Sequence, residues 1–483
     1  PPHGSSMKQH LTFRRPASAS TASTAHVPRL RQAILCAALL MGTAAGTAGA
    51  APAATTSLGA SHAPTNIIVM INDGAGVGTW DATAYWQYGS SEGTPYADFP
   101  QRMGVTTYPL NSSGQATRDN AQTISYSPER AWDATPVEAT DLPFAGYQYL
   151  AAVATDSAAA GTALSSGTKT YNSAINYDND GAPVEYNTLR AKRLGMATGV
   201  VTSVPFSHAT PAAFAAQNAS RNNYHAIAHQ MLSQGHLDLV MGTGAPGFST
   251  SGLSCTPALA GAAAEGCDTP WEFMGEEDWT ALQAGRVIGG NPAGAWTLIR
   301  TRADFARLAD GDRLATGPLI GIPQVARTLQ QARVHGVVGE DGAQPSGTRQ
   351  IDTVPDLAMM TKGALAHLAQ RSDKGLFLMV EGGATDWSAH TSACGTEWDY
   401  GDCSEPQYGR LIEETVDFNN AVAEVVRWID ANGGWEHNLL IVTTDHDNSM
   451  PMGPEADRVA FAPVSNNGKG RMPGVSFRPT GNH

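Results

Sequence analysis

Cysteine is scarce in this 483-residue chain, and none of its five cysteines forms a C-x-x-C pair. That absence removes the spacing by which a cysteine-ligated structural zinc site is usually read. Long hydrophobic runs are missing too. The apolar stretch near the N-terminus, Ala33 to Met41, is well short of the ~20 residues that a membrane-spanning helix needs. No internal repeat is present, and no low-complexity tract beyond one small-residue linker. Basic residues are in deficit, 30 Lys and Arg against 44 Asp and Glu, which disfavours bulk binding to nucleic acid or to anionic membranes.

What is present begins with a leader. Pro1 to Ser6 read as a scar upstream of Met7. Basic residues Lys8, Arg14, Arg15, Arg29 and Arg31 surround the approach to the apolar stretch, and small residues close it at Ala48-Gly49-Ala50. This is the three-part pattern of a cleaved secretory signal. A membrane anchor is the competing reading; the short apolar run favours cleavage, so the expected protein is exported, secreted or periplasmic, with no anchor after cleavage. Residues 1–50 are assigned to the leader, 51–65 to a linker and 66–483 to the folded domain. Without the five basic residues of the leader, 25 of the 30 remain against 44 acidic ones, a formal charge of −19. An anionic ligand must then be attracted locally, by metal ions or an arginine. Four cysteines remain, Cys255, Cys267, Cys394 and Cys403, an even number that suggests disulfides in an exported chain. Of the three connectivities, proximity favours Cys255 with Cys267 and Cys394 with Cys403.

Hydrophobic residues make up 42% and charged residues 15% of the chain, an ordinary composition for a folded enzyme. Asn66 to Ile71 is a continuous apolar run that ends in Asn72-Asp73-Gly74, the pattern of a strand buried on both faces and closed by a turn. Similar runs at Tyr149 to Ala154, Thr198 to Val204, Leu237 to Met241, Gly375 to Val380 and Asn438 to Thr443 predict further strands. Leu357, Met360, Leu365 and Leu368 mark a helix over Asp356 to Gln370; Val416, Phe418, Val422 and Trp428 mark another over Leu411 to Ile429. The alternation implies an α/β fold, a mostly parallel central sheet with helices on both faces. Ligands bind such sheets beyond the carboxyl ends of the strands. Two stretches are expected as surface excursions: polar Asn111 to Glu138, and an insertion at about 244–314, placed outside the core.

The chemistry-bearing residues fall at those strand ends. In Val153 to Ala163 a turn at Asp156-Ser157 opens an Ala-rich helix, which puts the Ser157 hydroxyl where unpaired N–H groups and the helix dipole favour an anion. On this segment alone, plain N-capping by either residue is the favoured reading. The run Glu381 to His390 adds Asp386 and His390 one helical turn apart, able to hold one ion from one face, and Glu381 at the strand end. Asp445 and His446 leave another strand together, and Asp73 follows the first. Mixed carboxylate and imidazole ligands suit zinc, and all-oxygen positions suit magnesium.

In order, spacing and local wording these segments resemble the alkaline phosphatase family, from about Asn66 to His446. The resemblance implies an alkaline phosphatase catalytic domain that uses two zinc ions and one magnesium ion. Magnesium ligands fall on Asp73, Thr210 and Glu381. One zinc is held by Asp73, Asp445 and His446, within reach of Ser157; the other by Asp386, His390 and a further histidine, for which His483 is the candidate. The phosphate-clamping arginine falls on Arg221, in the run from His208-Ala209-Thr210 to Ser220-Arg221. His208 and Trp387 stand where other members carry Asp and Lys; with Asp156 they are expected to modulate the site from nearby. The chain stops at His483, before the final strand and helix that follow this histidine in the family, so a truncated C-terminus is expected.

The function so implied is hydrolysis of small-molecule phosphate monoesters through a covalent phosphoserine at Ser157. Family members are often dimers, so a homodimer is compatible with the resemblance. A sulfatase would carry a Cys-x-Pro-x-Arg segment, which is absent. The competing readings are a phosphodiesterase of the same superfamily and a truncated metal- or phosphate-binding relative without turnover.

Overall fold

The computed structural model describes residues 63–119, 122–138, 141–392, 407–478, 480 and 482. The expected leader, Cys394, Cys403 and His483 lie outside the described residues.

Continuous apolar runs require a partner on each face, and the chain meets this with one parallel sheet. Its strands are β1 (Asn66–Asn72), β2 (Ala197–Pro205), β3 (Leu239–Thr243), β4 (Thr297–Ile299), β5 (Leu319–Gly321), β6 (Leu376–Gly382) and β7 (Asn438–Thr443). Their spatial order is β4-β5-β3-β2-β6-β1-β7, and every pairing is parallel. Side chains alternate between two cores: Val69 and Ile71 pack on one face with Val200 and Val240, while Ile68 and Met70 pack on the other with Val201 and Met241. This is the α/β fold expected from the sequence.

Eight helices frame the site: α1 (Val77–Tyr88), α2 (Ala145–Ala152), α3 (Ser157–Ser166), α4 (Ala209–Ala213), α5 (Tyr224–Ser233), α6 (Leu357–Leu368), α7 (Ala384–Ser392) and α8 (Gln407–Ala431). The helices α6 and α8 match their predicted periodicity. They bury Met360, Leu365, Phe418 and Val422 against the second face of the sheet.

Two expectations change. Tyr149 to Ala154 is not a strand: its first part belongs to α2, and Val153 to Asp156 are irregular. A short apolar run carries no period that separates a strand from a buried helix, and here Tyr147 on the same helix fixes the choice by donating its hydroxyl to the Ala456 carbonyl at 3.1 Å. The stretch 244–314 is not outside the core. Trp279, Leu282, Ile288 and Trp296 pack with Val200 and Val240, the Trp296 indole donates to the Leu232 carbonyl at 2.8 Å, and β4 extends the sheet. Strands β4 and β5, three residues each, were too short to register as runs. Cys255 and Cys267 form a disulfide with 5.7 Å between their Cα atoms.

One buried charge network lies on α8, away from the strand ends. Arg333 is enclosed and pairs with Glu413 at 2.5 Å, with Arg410 alongside. Glu414, also buried, has Oε1 without a hydrogen-bond partner among the described residues. Burial, then the nearby Asp417, push its pKa up to about 8, against the pull of Arg333 and Arg410. The folded state therefore holds this proton where the unfolded chain has already lost it, so stability falls as pH rises from about 4.5 to about 8. Glu414→Gln removes that slope. We expect its stability advantage over the parent to grow by up to about 1.4 kcal/mol per pH unit across the window, read from urea midpoints at pH 5, 7 and 9; a constant difference would refute the assignment.

Candidate active site

Parallel pairing places the ends of three acidic strand segments on one edge. β1 runs into Asp73, β6 ends in Glu381-Gly382, and β7 leads into Asp445-His446. In register, Ile71 lies beside both Glu381 and Thr443, and Glu381 lies beside Thr202 of β2. The turn after β1 needs glycine: Gly74 has φ +68°, and a Cβ there would meet Asp386 Cα at 2.8 Å. The same residue donates its N–H to Asp445 Oδ1 at 3.2 Å. Thus the first strand is locked to the second and third acidic segments at once.

On α7, His390 Nε2 is 3.4 Å from Asp386 Oδ2. Thr210, on α4, donates to Asp73 Oδ2 at 3.1 Å. The Asp156-Ser157 turn caps a helix and also faces the acidic cluster. Asp156 Oδ1 caps α3 by accepting the Ala159 N–H at 3.0 Å, while Ser157 Oγ lies 3.2 Å from His446 Nε2 and 3.5 Å from Asp73 Oδ1. Asp73, Asp386 and His446 turn ligand atoms toward one point, all within 4.8 Å of one another. The two zinc ligand sets expected from the sequence therefore adjoin through Asp386.

The electrostatics of this cluster call for cations. Asp73, Glu381, Asp386 and Asp445 are all buried. Burial, then repulsion from Asp445, Asp386 and Glu381, hold the Asp73 carboxyl well above its usual range. Burial lifts Glu381 to about 7 against the hydrogen bond from Thr202, and burial also raises Asp445 against the pull of His446. Asp386 is the exception: burial opposes its ionisation, but His390, His446 and the Asn448 amide hold it below the usual carboxylate range. Glu381 Oε1 has no hydrogen-bond partner among the described residues. His446 Nδ1 lies 3.1 Å from the Asp447 carbonyl oxygen; donation there leaves the Nε2 lone pair facing the carboxylates. Crowded oxygens, an imidazole lone pair and an orphaned carboxylate oxygen fit zinc and magnesium as donor sets.

Arg221 stands beside this cluster, its side chain 18% exposed. Asp156 Oδ2 accepts from Arg221 Nη1 at 3.1 Å and from the Ser173 N–H at 3.0 Å, so one carboxylate caps the serine helix and aims the guanidinium. His208 Nε2 is 3.4 Å from Arg221 Nη2. Burial, then Arg221, push the His208 pKa down to about 3, so its ring is neutral. Trp387 meets His208 edge-on at 5.3 Å.

Some supporting residues carry no signal in the sequence. Thr202 hydrogen-bonds Glu381 Oε2, and Ser203 Oγ accepts the Gly383 and Ala384 N–H groups at the start of α7. Asn448 is buried and donates to Asp386 Oδ1 at 2.6 Å. Asn482, next to His483, donates to the Thr155 carbonyl at 3.3 Å and lies 3.2 Å from His446 Nε2. Only Asn448 had a clue, its place three residues after Asp445.

A family profile described as alkaline phosphatase matches residues 64–268 and 323–473. The chain belongs to the alkaline phosphatase family. Alkaline phosphatase 4 of Bacillus subtilis is 29% identical over 297 residues, 60% of this chain and 49% of that protein. Alkaline phosphatase of Escherichia coli K12 is 28% identical over 332 residues, 67% of this chain and 64% of that one. The chain thus spans about half the length of the Bacillus relative and just under two thirds of the other. The solved alkaline phosphatase of the Antarctic bacterium TAB5 shares the fold, with a TM-score of 0.50 at 21% identity over 87% of this chain and 89% of its own. Asp73, Ser157, Thr210, Arg221, Glu381, Asp386, His390, Asp445 and His446 all lie within the segments that match the alkaline phosphatase profile, whereas β4 and β5 lie between them.

Cation binding has a stability consequence. Stripped of metal, the protein carries raised carboxylates and loses stability as pH rises through about 7, where Glu381 must ionise. Zinc and magnesium should reverse this at alkaline pH, adding about 4 kcal/mol at a thousandfold excess over the dissociation constant. The gain should shrink as pH falls below about 7 because protons compete for Glu381. Thermal melts with EDTA and with metals at pH 5.5 and 9 check this; equal gains at both pH values would contradict it.

Proposed function

We propose that this chain hydrolyses phosphate monoesters through a covalent phosphoserine at Ser157. The observation that carries the reading is the placement of Ser157 Oγ, at the N-terminus of α3, within 3.5 Å of both His446 Nε2 and Asp73 Oδ1, beside an arginine aimed by the preceding residue.

Asp73, Asp445 and His446 would hold one zinc, Asp386 and His390 with His483 the other, and Asp73, Thr210 and Glu381 magnesium. Bound there, the cations supply positive charge for the phosphoryl and leaving oxygens and lower the pKa of the serine hydroxyl. Ser157 Oγ attacks phosphorus, and its bond to phosphorus forms as the ester oxygen departs with a proton as the alcohol. The positive end of the α3 dipole favours the anion at this position. Arg221 binds two nonbridging oxygens through its planar fork, and Asp156 keeps that fork oriented. Water then attacks phosphorus from the side the alcohol left, which releases phosphate and returns the proton to Ser157. Export of the chain rests on the leader pattern and agrees with the Cys255–Cys267 disulfide.

The test is hydrolysis of a chromogenic phosphate monoester at alkaline pH with zinc and magnesium supplied. Ser157→Ala should lower kcat about a thousandfold or more. Acid quench of the parent during turnover should show one phosphoryl group on the peptide carrying Ser157. A phosphodiester cleaved faster than the monoester would favour the diesterase reading instead, and absence of turnover in the metal-loaded parent would favour a binding protein.

A further inference from the structure

An aromatic cluster stands beside the arginine that would hold the phosphoryl group. His208 is buried and touches Arg221. Tyr224, the first residue of α5, lies nearly parallel to the imidazole, with 6.2 Å between ring centroids and 16° between planes. The Trp387 indole meets the same imidazole edge-on. Tyr224 also packs edge-on against buried Phe273 at 5.2 Å.

The rings differ in exposure. His208 and Phe273 are shut away, whereas Trp387 and Tyr224 stay partly open to solvent. The two open rings are tied to the reacting groups by the chain itself, since Trp387 follows Asp386 and Tyr224 lies three residues after Arg221. Beside Arg221 the protein therefore presents apolar, polarisable ring surface that is partly open to solvent. A planar ring gains stacking and edge-to-face contacts there that a small aliphatic alcohol does not.

We propose that Trp387 and Tyr224 form a specificity wall that favours phosphate monoesters of aromatic alcohols over those of small aliphatic alcohols. This rests on the monoesterase reading above. If the rings served packing alone, losing one would weaken both ester classes alike.

The decisive comparison uses two non-hydrolysable mimics, phenylphosphonate and methylphosphonate, titrated calorimetrically into the full chain loaded with zinc and magnesium. The parent should bind phenylphosphonate at least about tenfold more tightly. Tyr224→Ala and Trp387→Ala should each reduce that preference several-fold, Tyr224→Phe should keep it, and Tyr224→Leu, which preserves bulk, should lose it as the alanine variant does. Equal affinities in the parent, no binding of either compound, or a preference that survives loss of both rings would overturn the wall. Hydrolysis of phenyl phosphate and glycerol phosphate by the same protein separates the two readings. Turnover of both with equal phosphonate affinities leaves the monoesterase and sinks the wall; turnover of neither sinks the monoesterase.

Discussion

Burial of four carboxylates at one edge of a parallel sheet is the constraint on which the rest of this structure depends. Asp73, Glu381, Asp386 and Asp445 are each shut from solvent, and like charges held together in a low-dielectric site raise one another's proton affinity. Protein groups satisfy part of the demand: Thr210 donates to Asp73, Thr202 to Glu381, Asn448 to Asp386 and the Gly74 N–H to Asp445. None of these four donors is a cation. Hydrogen bonds alone leave Asp73, Glu381 and Asp445 with raised proton affinity, an electrostatic setting in which a bound cation would stabilise the ionised carboxylates.

The parallel sheet makes the convergence attainable. Parallel strands all finish on the same edge, and the registers between β1 and its neighbours β6 and β7 leave their ends level. Antiparallel pairing would have sent alternate ends to opposite sides. The core achieves this with side chains that alternate between two faces, so the same runs that bury the strands also deliver Asp73, Glu381 and the Asp445-His446 pair.

Asp156 links the serine helix to Arg221. One of its oxygens caps α3 and thereby fixes where Ser157 starts; the other holds Arg221. The start of the serine helix and the Arg221 guanidinium are positioned by a single carboxylate, so the two cannot drift independently. His208 and the aromatic rings around it bound the same arginine from another side.

Much of this was legible in the linear chain. Unbroken apolar runs marked β1, β2, β3, β6 and β7, and the 3.6-residue period marked α6 and α8, because burial on one or both faces leaves its imprint on consecutive residues. The acidic and histidine residues that gather at the sheet edge were legible as wording at the ends of those runs. The run at Tyr149 misled, since a short apolar stretch suits a helix as well as a strand. β4 and β5 were too brief to leave a pattern, and the tryptophans of the 244–314 stretch gave no sign of the core they enter. Sequence by itself therefore determined the fold class and the family, both of which depend on local order. Only the tertiary structure decided that Asp386 adjoins Asp73 and His446, that Thr202 and Asn448 hold the carboxylates, and that Tyr224 stands beside His208. Those are contacts between segments far apart in the chain, set by strand register and packing, and no local pattern encodes them.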